Sequence, residues 1–71
     1  MTAVTVEASL VDGGAQTFTF GSEFLVKLRQ LEAAGLTGRA LINELITDDW
    51  SAPPRGIRIT AAGVDRWIPY D

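Results

Sequence analysis

The hydrophobic period of this chain changes twice, from two to about 3.6 and back to two. A strand turns successive side chains to opposite faces, whereas a helix returns to one face every three or four residues. The period therefore limits what each stretch can become. Near the start, Val4, Val6, Ala8 and Leu10 alternate with Thr5, Glu7 and Ser9. Phe18 and Phe20 then alternate with Thr17 and Thr19. Asp12-Gly13-Gly14-Ala15 lies between, rich in residues that tolerate positive φ. Residues 2–20 are predicted to form a β-hairpin.

The middle of the chain reads as two helices. Phe24, Leu25, Leu28 and Leu31 make one apolar stripe over residues 22–34. Ser22 is placed as an N-cap and Glu23 suits the positive end of the helix dipole. Glu23 and Lys27 are an i, i+4 pair in the favourable order. Gly35 is a natural C′ residue, with Leu36 predicted to fold back on Leu31 in a Schellman ending. The second helix carries Leu41 and Leu45 on one face, with Ile42 and Ile46 beside them. Thr37 is its predicted N-cap, and Gly38 shares the face of Leu41, where it would let a neighbour come close. Arg39 in the first turn, and Asp48 and Asp49 at the predicted last turn, all oppose the helix dipole.

Beyond Trp50, Pro53 and Pro54 push the chain into extended conformations. Ile57 and Ile59 alternate with Arg58 and Thr60, Ala61-Ala62-Gly63 predicts a turn, and residues 64–70 read as a last strand. Pro69 places that strand at a sheet edge or marks its end. The order is ββααββ. The fold class expected is α+β in a single small domain: two antiparallel hairpins joined in one sheet, with a helical hairpin on one face. Glu7, Thr17, Thr19 and Arg58 should then lie on the other face.

Composition narrows the function. The chain has 71 residues with no cysteine and no histidine. No disulfide can brace it, and the usual zinc ligands and the commonest general base are absent. Its serines have no visible base, and Asp12-Gly13-Gly14 lacks the lysine and helix of a phosphate loop. No leader or long apolar run is present, so a cytoplasmic protein without a membrane span is expected. A chain this short has a marginal core, which a homo-oligomer would enlarge. These features predict a non-enzymatic protein–protein interaction module or subunit that needs no cofactor.

Two groups of residues are candidates for its contacts. Glu44, Asp48 and Asp49 form an acidic corner, with Glu44 and Asp48 on one helix face. Such a pair could hold a hard divalent cation, but it lacks further ligands, and a solvated corner salted by Arg55 or Arg58 is the simpler expectation. Trp50, Trp67 and Tyr70 lie close to prolines in sequence and could add an aromatic contact surface. In a small domain the same residues serve equally as lids on the helix end and the sheet. Together these six residues are the predicted partner site. Its sharper form is an acidic inhibitor of a basic, nucleic-acid-handling protein, with the carboxylates standing in for phosphates.

The competing reading starts from Leu31 to Leu41, two helical pieces joined by a glycine turn. This segment resembles a helix-turn-helix, and the β-hairpin after it is similar to the wing of a winged-helix domain. The resemblance implies DNA binding, with Arg39, Arg55, Arg58 and Arg66 as the basic contacts. Against it, the second helix would present Glu44, Asp48 and Asp49 to phosphates, and the net charge is −3. An ordinary helical hairpin is the expected reading, and nucleic acid the less expected partner.

Overall fold

A computed structural model describes residues 3–47, 50 and 52–71. Strand β1 is Val4–Leu10 and β2 is Ala15–Phe20. Helix α1 is Glu23–Ala33 and α2 is Gly38–Leu45. Strands β3, Pro54–Ala61, and β4, Val64–Pro69, complete the chain. The four strands form one antiparallel sheet in the order β2-β1-β3-β4. The two hairpins are thus joined through their first strands, and β2 and β4 are the edges. Both helices pack on one face, and α+β is the class observed.

The alternation read from the sequence survives in burial. Val4, Val6, Ala8 and Leu10 of β1 and Ile57 and Ile59 of β3 are buried beneath the helices. Ile68 of β4 lies beside Ile57 in the same layer, and Leu41, Ile42, Leu45 and Ile46 cover it together with Phe24 and Leu28 from α1. Every buried side chain of this core is hydrophobic, and no buried side-chain polar atom among the described residues lacks a partner. The opposite face is uncovered. Its middle row, set by register, runs Thr17, Glu7, Arg58, Trp67 across the four strands.

The turns explain the register. Gly13 takes φ +90°, its N–H donates to the Leu10 carbonyl, and the Leu10 N–H donates to Gly14. This is a three-residue hairpin loop closed by a glycine in the left-handed region. Asp12 adds an Asx bond, its carboxylate accepting the Gly14 N–H at 2.8 Å. The exit from α1 is the Schellman motif read from the sequence. Gly35 has φ +90°, its N–H donates to the Glu32 carbonyl, and the Leu36 N–H reaches the Leu31 carbonyl. Leu31 and Leu36 both pack against the core.

Three expectations about the helices need correction. Ser22 and Thr37 occupy the N-cap positions, but neither side chain makes a capping bond. Ser22 is itself in the helical region, and the carbonyls of Gly21 and Ser22 accept the N–H groups of Phe24 and Leu25 instead. Helix α2 also stops at Leu45, earlier than its stripe suggests, because Ile46 is already extended. Ile46 is still buried, carried into the core by extended backbone.

Candidate functional site

The four described members of the predicted partner site, Glu44, Trp50, Trp67 and Tyr70, do not come together. Trp50 sits half-buried against β2, its ring edge-on to Phe18 with centroids 5.8 Å apart. Beside that strand it packs against the hydrophobic core. Trp67 belongs to β4, at the other edge of the sheet, and lies on the open face. Tyr70 packs on α2, where its hydroxyl lies 3.3 Å from the Asn43 Nδ2 donor. Glu44 is exposed on α2. The helical spacing that would align it with Asp48 is interrupted where α2 ends, and Asp48 and Asp49 lie outside the described residues. Among the described residues, no three acidic side chains converge as a metal site.

The arginines are divided in the same way. Strand alternation sends Arg58 to the open face and Arg66 to the helix face, so the last hairpin carries no single basic patch. Arg58 makes a two-pronged bond to Asp65 at 3.0 and 2.8 Å. Arg66 makes another to Glu32 of α1, at 2.8 and 2.9 Å. Arg39 reaches Asp71 at 2.9 Å and lies 5.2 Å over the Tyr70 ring. These partners account for a cation in the first turn of α2, where the dipole alone disfavours it. Arg55 is exposed and makes no ion pair among the described residues. The acidic corner was expected to pair with Arg55 or Arg58; Arg58 pairs with Asp65, its neighbour on the open face, and Asp48 and Asp49 lie outside the described residues.

These pairs hold the carboxyls below their ordinary range. Hydrogen bonding from Arg66 lowers Glu32, against a smaller opposing effect of burial. Hydrogen bonding from Arg58 likewise lowers Asp65. A depressed carboxyl stabilises the fold fully above its unfolded pKa and ceases to do so as pH falls through the folded one. The melting temperature should therefore hold through neutral pH and drop below the ordinary carboxylate range. Glu32→Gln should remove part of that acid dependence, with a loss under about 1 kcal/mol at neutral pH because the pair is partly exposed. Melting curves of both proteins across acid pH check this. An unchanged acid slope would mean the pair does not persist in solution.

The feature that sequence reading missed is the seat of Trp67. Trp67 is 52% exposed, yet its ring covers Gly56 on the neighbouring strand. A Cβ at Gly56 would lie 2.5 Å from Trp67 Cζ2. The glycine thus leaves a shallow seat in the open face, and the indole fills it with one side turned to solvent. An isolated glycine within a strand, with an aromatic on the next strand, was the available signal. Around it stand Glu7, Arg58 and Asp65, a polar rim.

No family model, curated protein or solved structure matches the chain. No helix among the described residues is long and apolar enough to cross a membrane. Two clefts on the helix side, lined by described residues, are small. One of about 180 Å³ lies among Phe20, Glu23, Phe24, Lys27 and Leu45. Another of about 110 Å³ lies among Leu25, Leu28, Arg29, Val64 and Arg66. Pockets for small-molecule ligands usually enclose roughly 300–1,000 Å³.

Proposed function

We propose that the protein is a small non-enzymatic interaction module that presents the open face of its sheet to a protein partner. The observation that carries this reading is Trp67, a half-exposed indole on a face that no helix covers. A tryptophan seated on a glycine is held in place before binding. It offers large contact area at little cost in lost side-chain freedom. Arg58 and Asp65 beside it are already paired and can exchange partners at the rim of an interface. The same ion pairs argue for a protein partner over nucleic acid. Arg39, Arg58 and Arg66 each engage a carboxylate, and the chain carries a net charge of −3.

The test is capture from the native lysate with the immobilised protein. Wild type should retain one protein in stoichiometric amount. Trp67→Ala should weaken that retention by about tenfold or more, the behaviour of a central aromatic anchor. Val26→Ala serves as the control, because Val26 is 56% exposed on α1, away from the open face. Equal capture by wild type and Trp67→Ala would sink the reading. Salt-sensitive binding of a DNA duplex, lost on removing Arg39 or Arg58, would replace it with the nucleic-acid one.

A further inference from the structure

The two edges of the sheet are built differently. In β4, the Tyr70 N–H donates to the Arg55 carbonyl, which fixes the alternation of the β3–β4 ladder. Backbone groups of Val64, Arg66 and Ile68 then face β3, and those of Asp65, Trp67 and Pro69 face outward. Pro69 has no N–H to offer, and Asp65 adds a charge. In β2, the Leu10–Gly14 bond fixes the alternation in the same way. Gln16, Phe18 and Phe20 face β1, and the N–H and C=O groups of Ala15, Thr17 and Thr19 face outward. No proline, glycine or charged residue interrupts this strand. Beneath the edge on the helix side, Phe18, Phe20 and Trp50 form a half-buried aromatic ledge, with the Phe18 and Phe20 rings 6.2 Å apart and nearly parallel.

We infer that the outer edge of β2 is a self-association edge, on which two copies of the chain pair antiparallel to make one eight-stranded sheet. The inference rests on the reading of the protein as an interaction module and names one of its partners as a second copy. The absence of charge is what selects a second copy. A chain with net charge −3 repels itself, and β2 is a strand where two copies meet without placing like charges opposite each other. The register follows from the two-fold axis. With the axis at Phe18, the rings of the two Phe18 residues meet, and Thr17 lies opposite Thr19 of the second copy. This pairs apolar with apolar and bonds the outward groups of Thr17 and Thr19. The single chain does not depend on the pairing for its fold. Its accessible surface is 4426 Å², close to the ~4,300 Å² expected of a folded monomer of this mass.

The experiment is solution mass by light scattering after size exclusion, over a wide range of protein concentration. Wild type should pass from monomer to dimer as concentration rises. Thr17→Pro removes an outward N–H and should leave a folded monomer. The double variant Thr17→Lys with Thr19→Lys sets two like-charge pairs across the axis and should raise the dimer dissociation constant about tenfold or more. Thr17→Lys with Thr19→Glu should restore the dimer, because each lysine then faces a glutamate of the second copy. Should Thr17→Pro fail to fold, the two charge variants decide the matter, since their side chains lie on the open face. A wild type that is monomeric throughout overturns the inference. So does a dimer indifferent to the two lysines, or one that lysine with glutamate does not restore. Trp67→Ala should leave the dimer intact, so a failure of open-face binding and a failure of edge pairing are read separately.

Discussion

Replacing Ile42 by alanine should cost about 2–5 kcal/mol and leave little of the fold intact at room temperature in mild denaturant. Ile42 is fully buried, and among the largest fully buried side chains it is the one that comes from a helix. The others, Ile57, Ile59, Val4 and Val6, come from the two central strands. Helix α2 has eight residues and no side-chain cap, too short to hold itself together in water. Its order comes from this apolar face. Alanine is the better helix former, by under about 0.7 kcal/mol, and that gain is small beside the lost burial. A domain of 71 residues has a total stability of roughly 4–10 kcal/mol, so the loss is a large share of it. Urea titration should show the midpoint falling by about half, with the slope preserved. Asn43→Ala, next in the chain but exposed, should cost under about 1.5 kcal/mol even though it removes a bond to Tyr70. If the two variants melt alike, α2 is not the lid of this core.

The layer that Ile42 closes was legible in the sequence because burial follows period. The alternation at Val4 to Leu10 and the stripe at Leu41 to Ile46 each specify an inward face, and those faces must meet. The Gly35 turn was legible for a similar reason: a left-handed residue after a helix, followed by leucine, has few other uses. The extent of α2 was not. Ile46 is needed in the core but reaches it in extended backbone, and a hydrophobic pattern does not distinguish a fourth helical contact from a strand-like one. The candidate site was less legible still. Closeness in sequence suggested that Trp50, Trp67 and Tyr70 form a patch, and that Arg55, Arg58 and Arg66 form another. Strand parity separates Arg58 from Arg66, and the strand order places Trp50 and Trp67 at opposite edges. The pairing of Arg66 with Glu32 spans 34 positions and depends on how α1 crosses the sheet, which no local pattern encodes. The joining of β1 to β3 has the same character, yet its consequence, an open face carrying Glu7 and Arg58, was readable from parity alone.

Gly56→Ala should destabilise the protein by about 1–3 kcal/mol and unseat Trp67 at the same time. On propensity alone, alanine in a strand should help, since it narrows the unfolded ensemble and is worth about 0.4–1 kcal/mol where the backbone allows it. The local geometry reverses that sign. The new Cβ would stand 2.5 Å from Trp67 Cζ2 and 2.7 Å from the Ile68 carbonyl oxygen. The indole is half-exposed and can swing away. The carbonyl belongs to β4, the neighbouring strand of the same ladder, and can yield only by opening the ladder. Two effects should therefore separate in a double-mutant cycle. In a Trp67→Ala background the ring clash is gone, and Gly56→Ala should cost less, by the share that the indole contributes. What remains is the backbone clash with Ile68. In a Trp50→Phe background, where Trp67 is the remaining tryptophan, Gly56→Ala should also shift its fluorescence to the red as the ring leaves the sheet. A fully additive cycle with unshifted emission would mean that Trp67 does not rest on Gly56. The open face would then lack the fixed anchor on which its proposed role in partner binding depends.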